Sequence, residues 1–290
     1  MDGPRAWMAR AAWRSALLAG LIGLLFCGVC VARDGMCLRA YTWEPGVGYR
    51  PAPDRCEEPP GLIDGAAFFA TAAAGALVGR SGRSREDAAV SLASLLWTRG
   101  RRSLAVLGIA VLLLGALSAT AHRVPLPGGL PLPIAGFAVF AAVLRLTPPG
   151  SPLDYDRAGV LWAGLTLALA DGVGRLLFDG LRAARERERA RPWAEHQELW
   201  GVDPAPAVAE VTAAERAAQI RGALVALLGG LIVVEAIFGV NGLGETLKDL
   251  VVDRQGVDPL LLAGVLGCFA FAVLVIDLVP LEGVIAGRAR

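Results

Sequence analysis

One carboxylate stands out among the residues that could do chemistry, because Glu235 lies inside an apolar run, GGLIVVEAIFG, at 229–239. A charged side chain near the centre of a bilayer costs about 3 kcal/mol, so such a residue normally faces the interior of a helix bundle. The run breaks into a glycine-rich turn at 239–244, and another apolar run begins at Pro259. This pattern predicts a segment built for the interior or the rim of a membrane protein.

Other groups that could support catalysis or bind a metal are few. The sequence contains no GxxxxGK[ST] phosphate-binding loop, so we expect neither nucleotide hydrolysis by this chain nor a cofactor of its own. His122 and His196 lie in different loops, and no Cys/His cluster has the spacing of metal ligands. Ser118 and Thr120 lie near His122 without a third group to orient a base. We interpret them as polar residues at a helix end and expect no enzymatic activity.

The five cysteines fall into two groups. Cys27 and Cys30 lie in the first apolar run and Cys268 in the last; the CxxC spacing lacks a surrounding βαβ pattern, so we interpret these as small apolar residues. Cys37 and Cys56 flank a polar loop rich in proline and glycine, and could form a disulfide if that loop is extracytoplasmic. Whether they are bridged stays open, because the sequence does not place their Cα atoms.

The composition is that of a membrane protein. Hydrophobic residues make up 55% and charged residues 19%, against about 45–50% and about 25% in soluble domains. The excess lies in long runs, which predict an all-α, polytopic bundle of transmembrane helices. The runs are approximately 15–32, 64–79, 104–121, 131–147, 159–178, 220–240 and 259–283. The net charge of +1 indicates no nucleic-acid partner.

Arginine placement predicts the topology. Arginines precede the first run, and the richest basic stretch follows 159–178, so both segments should be cytoplasmic. An even number of membrane crossings must therefore separate the two segments. Excluding the short run 64–79 from the spans leaves four crossings. The result is six spans with both termini inside. Residues 1–103 then form the first span and an extracytoplasmic segment, and 104–290 form a five-helix core with a cytoplasmic loop at 179–219.

Two alternatives to this topology remain open. A seven-span arrangement would make 80–103 cytoplasmic and export the 179–219 loop. The first 32 residues could instead be a cleaved signal peptide, since a basic region precedes their apolar run. We favour a retained first span because further spans follow it.

The 179–219 loop contains a second candidate site. After the basic stretch, Trp193–Trp200 is expected to form a short amphipathic helix that Gly201 terminates. Trp193, Gln197 and Trp200 occur at i, i+4 and i+7, which predicts one aromatic stripe. Such a helix could dock in a groove of a partner protein, or lie in the membrane interface with its tryptophans at headgroup level. The residues alone do not separate these two interpretations.

A series of residues from 229 onward has a characteristic order: a glycine-rich span with a glutamate and a phenylalanine, a GLG turn, an amphipathic segment ending near an Asp and a Pro, and a final span with an Asp near its end. These are Gly229–Gly230, Glu235, Phe238, Gly242–Leu243–Gly244, Asp253, Pro259 and Asp277. The series resembles the C-terminal third of the dipeptide/oligopeptide-type permease subunits of bacterial ABC importers.

The same family has a cytoplasmic loop with a Glu-Ala-Ala-x-x-x-Gly core that docks into its ATPase. Glu195 to Gly201, EHQELWG, is similar at both ends, but His196 and Gln197 replace the two alanines. The resemblance therefore implies an ATPase-coupling loop, whose residues would be Trp193, Glu195, Glu198, Trp200 and Gly201. The altered core puts efficient coupling in doubt.

The resemblance implies a multi-pass protein of the bacterial inner membrane that translocates peptides or similar small solutes by alternating access. Its expected partners are ATP-binding-cassette ATPase subunits, which would bind the ATP, a second permease subunit, forming a heterodimer, and an extracytoplasmic solute-binding protein. The alternative is a degenerate, non-transporting permease-like protein with an assembly or regulatory role. The sequence does not identify the solute.

Overall fold

The computed structural model describes residues 13, 17–18, 20–25, 41–44, 48–51, 62–78, 91–120, 131–146, 155–170, 173–252 and 258–279. Regular structure in these residues is helical apart from one two-stranded hairpin. In chain order, the helices are α1 (Leu62–Leu77), α2 (Leu92–Thr120), α3 (Leu132–Leu146), α4 (Tyr155–Leu169), α5 (Val173–Arg189), α6 (Pro192–Leu199), α7 (Ala205–Val211), α8 (Ala213–Phe238), α9 (Leu243–Val252) and α10 (Pro259–Leu278).

The hairpin corrects the all-helical expectation locally. Strand β1 (Tyr41–Glu44) pairs antiparallel with β2 (Gly48–Pro51), which places Trp43 opposite Tyr49. Aromatic and β-branched residues lie on both sides of a Pro-Gly-Val-Gly turn, which is the composition of a hairpin. This signal is visible in the sequence but is shorter and weaker than the helical runs around it.

Three of the described helices are long and apolar enough to cross a membrane: α2 over Leu92–Leu117, α8 and α10. Helices α1, α3 and α4 have 16, 15 and 15 residues. At about 1.5 Å per residue they extend roughly 22–24 Å, less than the ~30 Å hydrocarbon core. The chain therefore has membrane-protein character, and the number of spans stays a prediction. The six-span arrangement does not count α1 as a span, although α1 is about as long as α3 and α4.

Two apolar runs differ from the helices that contain them. The run at 159–178 is divided, since α4 ends at Leu169 and α5 begins at Val173. Asp171 and Gly172 stand between these helices in the sequence, and both residue types have low helix propensity. The run at 104–121 belongs to a longer helix, because α2 begins at Leu92 and includes a basic stretch before the apolar one.

The chain divides into two compact units. The first contains Met1–Ala105 and Gly239–Val275. Its core joins residues of α1, the first turns of α2, and the first half of α10. Small residues allow close approach there, since a Cβ added to Gly267 would lie 2.8 Å from the Cβ of Ala73, and one added to Gly264 would lie 2.8 Å from Leu96 Cδ1.

The second unit contains Val106–Phe238 and Ile276–Arg290, with α3, α4 and α5 all packed against α8. A Cβ at Gly230 of α8 would lie 2.7 Å from Leu167 Cδ1, so α8 and α4 are in close contact at this glycine. Near the other end of α8, Phe238 meets Phe140 of α3 edge-on, with ring centroids 5.9 Å apart. Helix α8 therefore contributes apolar core residues to this unit and also contains Glu235.

Candidate functional site

Helix α6 begins and ends as its sequence predicts. Pro192 occupies its first turn, where the missing N–H removes no helical hydrogen bond. Gly201 follows the helix with φ +72°, a conformation that favours glycine. The N–H of Gly201 donates to the Glu198 carbonyl, and the N–H of Val202 donates to the Gln197 carbonyl, both at 3.0 Å. These two bonds form a Schellman motif that closes the helix.

The end of α6 carries exposed apolar side chains. Leu199, Trp200 and Val202 are 84%, 75% and 54% exposed, and we refer to these three residues as the apolar tip. Trp200 is nevertheless held in place, because its Nε1–H donates to His196 Nε2 at 3.0 Å. The two ring centroids are 5.8 Å apart. A large, positioned and exposed aromatic residue is typical of a surface that binds a partner.

The three residues of the expected aromatic stripe differ in exposure. Trp193 and Gln197 are half-buried, whereas Trp200 lies at the exposed C-cap. Ala194 is the buried residue of α6, so this helix rests on a small contact. Glu195 and Glu198 are exposed beside the apolar tip.

Ion pairs join α5 to the residue that precedes α6 and to α8. Arg191, its N-cap residue, pairs with Glu188 at 2.9 Å. Arg187 pairs with Glu215 at 3.1 Å and so joins α5 to the beginning of α8. Glu186 raises the pKa of Arg182 through a side-chain hydrogen bond and its charge. Apart from the buried Glu188, the residues of these pairs are largely exposed, so we expect the pairs to contribute little to stability.

Glu235 is completely buried in the second unit. It is flanked on α8 by the buried residues Val234 and Phe238. Its carboxyl group therefore lies inside the protein and away from lipid. At the other end of α8, Arg221 donates to the Val279 carbonyl at 3.1 Å, which joins the beginning of α8 to the end of α10. Asp277, two residues before Val279, is half-buried.

The GLG turn belongs to the first unit, where a polar cluster from α2 surrounds it. Gly242 and Gly244 are buried. Ser103 Oγ accepts a hydrogen bond from the N–H of Leu243 at 2.8 Å. Arg99 donates to Thr246 Oγ1 at 2.8 Å, and Thr246 Oγ1 donates to the Gly242 carbonyl at 2.6 Å. The turn and the first residues of α9 are thus anchored by the basic end of α2.

Glu245 is the titratable group that this cluster perturbs. Burial and, second, the charge of Asp249 raise its pKa above the ordinary value of 4.5. The positive charges of Lys248, Arg99 and Arg102 oppose the increase but do not cancel it. Glu245 therefore makes the beginning of α9 sensitive to pH.

The structure brings the sequence-predicted site residues into three places. Residues of the coupling loop gather on α6, Glu235 and Phe238 share α8, and Gly242 and Gly244 share the beginning of α9. Asp253, Cys37 and Cys56 lie outside the described residues. Ser103 and Arg99 were missed, although the polar stretch TRGRRS before an apolar run indicates an anchored helix end.

Within the described part of the chain, no group of three or more His, Cys, Asp or Glu side chains could hold a metal ion. Comparisons of the chain with models of protein families and with curated proteins give no match.

Proposed function

We propose that this chain is the membrane-spanning permease subunit of an ATP-binding-cassette importer for peptides or similar small solutes. The apolar tip is the observation that carries this proposal. An exposed tryptophan beside an exposed leucine is costly in water unless a partner or a membrane covers it. Here the tip ends a short helix that follows the longer α5, and hydrogen bonds fix both its backbone and its aromatic ring.

The order of the helices supports a permease with six spans and cytoplasmic termini. Three described helices have the length and apolar character of spans. Within the first unit, Ser103 contacts Leu243, and we take this contact to lie at the extracytoplasmic side of the proposed arrangement, with the beginning of α2 and the beginning of α9 on that side. An even number of crossings must separate them. The four apolar runs between 104 and 240 provide that number, with α6 and α7 on the opposite side.

The proposed mechanism uses α6 as the mechanical link. A separate ATPase would bind the apolar tip, and its closure on ATP would move α6 together with α5 and α8 through the ion pairs described above. The ATPase shifts the permease between inward-open and outward-open states only insofar as it binds those states differently. A solute-binding protein would deliver the solute to the outward-open state.

Glu235 has a structural role in this proposal. It is buried on the α8 face that packs in the second unit, so its carboxyl group is suited to interhelical hydrogen bonding. It is less suited to direct contact with solute.

The alternative, a non-transporting permease-like protein, rests on the departures from the family pattern at positions 196 and 197. The structure gives His196 a local role, since it accepts the hydrogen bond that holds Trp200. A loop that had lost its partner would have no need for such a bond. This observation favours a retained docking function over a degenerate one.

Replacing the apolar tip tests the proposal. We expect the L199A/W200A variant to co-purify from its native membranes with much less ATP-binding-cassette ATPase than wild type. Loss of an interface tryptophan costs about 2 kcal/mol or more, which corresponds to about a thirtyfold weaker complex. V211A is the matched control, because Val211 is also exposed, apolar and in the same loop.

Equal recovery of the ATPase with L199A/W200A and with wild type would reject docking through the tip. Absence of any ATPase from wild-type preparations that retain their lipids would favour the non-transporting alternative.

A further inference from the structure

The contact between α5 and α8 contains an uncompensated pair of arginines. Three carboxylates in this region are already engaged: Glu186 with Arg182, Glu188 with Arg191, and Glu215 with Arg187. None of these pairs includes Arg185 or Arg216. Arg185 and Arg216 lie between the Arg187–Glu215 ion pair and the contact of Gly180 with Gln219, so they belong to the same stretch of the α5–α8 contact, and their like charges repel each other.

Arg216 is not an ordinary solvated arginine. It is half-buried, and its Nε is buried without a hydrogen-bond partner among the described residues. One turn further along α8, Gln219 packs against Gly180 of α5, and its Oε1 is likewise buried without a described partner. A buried donor without a partner costs about 1–3 kcal/mol, and repulsion between the two guanidinium groups adds to that cost. An anion bound between the two groups would offset both terms.

The position of Arg216 along α8 indicates where that anion comes from. The apolar stretch of α8 begins at Gly222, about 9 Å away at about 1.5 Å per residue. The headgroup layer on each side of the hydrocarbon core is roughly 5–8 Å thick. Arg216 therefore lies near the depth of lipid phosphates when α8 spans the membrane. Basic pockets between transmembrane helices at this depth are suited to anionic headgroups.

We propose that Arg185 and Arg216 form a phosphate-binding site for the headgroup of an anionic phospholipid. The planar guanidinium group suits this ligand because it donates two parallel hydrogen bonds to phosphate oxygens. The site rests on α8 lying in the membrane and does not depend on whether the chain transports a solute.

Thermal unfolding of the full-length protein in lipid nanodiscs tests this site. The probes are phosphatidylcholine alone and phosphatidylcholine mixed with phosphatidylglycerol. We expect phosphatidylglycerol to raise the unfolding temperature of wild type, and R216Q and R185Q to lose at least half of that increase. R185Q guards against a folding defect, since Arg185 is exposed. In phosphatidylcholine alone, R216Q should be at least as stable as wild type, because it relieves the repulsion.

R189Q is the matched control. Arg189 is exposed on the same helix, and its replacement changes the net charge equally. It should keep the full increase. An equal increase for R216Q and wild type, or an equal loss for R189Q and R216Q, would overturn the proposal. Soluble glycerol 3-phosphate, added to phosphatidylcholine nanodiscs, distinguishes the source: a shift as large as that from phosphatidylglycerol would overturn the assignment to a lipid.

Discussion

The hydroxyl oxygen of Ser103 accepts the backbone N–H of Leu243 at 2.8 Å, across 140 residues of chain. Both residues are buried, and Leu243 is the first residue of α9. The first N–H groups of a helix have no partner within it, so Ser103 supplies from α2 the cap that α9 lacks. This bond anchors the segment after the GLG turn to the basic end of α2.

Replacing Ser103 with Ala should destabilise the protein by about 1–2 kcal/mol, because the buried N–H of Leu243 loses its acceptor. The measurement is thermal unfolding of the purified full-length protein. S91A is the control, since Ser91 Oγ accepts the N–H of Ser94 at the beginning of α2 in an exposed setting. S103A should lower the unfolding temperature clearly more than S91A. Equal effects would show that the Ser103–Leu243 bond contributes no more to stability than the exposed bond of Ser91.

Replacing Gly201 with Ala should destabilise the end of α6, because a Cβ at φ +72° costs about 1–2 kcal/mol. Cleavage by a protease within 195–205 should become faster. The matched variant is G222A, at a helical position with no atom within 4 Å of the added Cβ, where alanine is neutral or stabilising. If G201A were as resistant as wild type, the Schellman motif would not be what holds the apolar tip.

Stability should fall with rising pH through the titration of Glu245. Because its pKa is raised in the folded protein, its contribution is fully present below the ordinary value of 4.5 and is lost as the pH rises through the raised value. We expect E245Q to gain stability relative to wild type as the pH increases from below 4.5 to neutrality.

Unfolding temperatures across that range provide the measurement, and E210Q, at an exposed glutamate of α7, serves as its control. A constant difference between E245Q and wild type at every pH would refute the assignment.

Membrane topology can be tested with single cysteines in a background from which the five natural ones are removed. In the six-span arrangement, R101C is extracytoplasmic and V211C is cytoplasmic; both positions are exposed. A membrane-impermeant thiol reagent should therefore label R101C in intact cells and V211C only after the cells are opened. The reverse pattern would establish the seven-span arrangement, in which 64–79 crosses the membrane.

Local patterns in the sequence predict much of this structure. Pro192 and Gly201 mark the two ends of α6. Proline fixes φ and lacks the N–H that a helix interior needs, and glycine readily adopts the positive φ that follows a helix. The apolar runs at 131–147, 220–240 and 259–283 each correspond to a helix, since burial in lipid or protein requires an apolar segment of that length.

What the sequence does not predict depends on contacts between distant residues. The Ser103–Leu243 bond and the Gly267–Ala73 contact join segments that periodicity cannot relate. The exposure of Trp200 also escapes the pattern, because the helix ends one residue before it. The division between α4 and α5, in contrast, could be predicted from the sequence. Asp171 and Gly172 stand between the two helices, and both residue types have low helix propensity.

Photo-crosslinking in living cells is the sharpest test of whether the apolar tip binds an ATP-binding-cassette ATPase, as we propose. A photoreactive phenylalanine analogue replaces Trp200 in the full-length chain, and the products formed in living cells are identified by mass spectrometry. Val211, exposed in the same loop, is the control position. We expect crosslinks to such an ATPase from position 200 and few or none from position 211. Crosslinks from position 200 to lipid alone would contradict it and identify α6 as an interfacial helix.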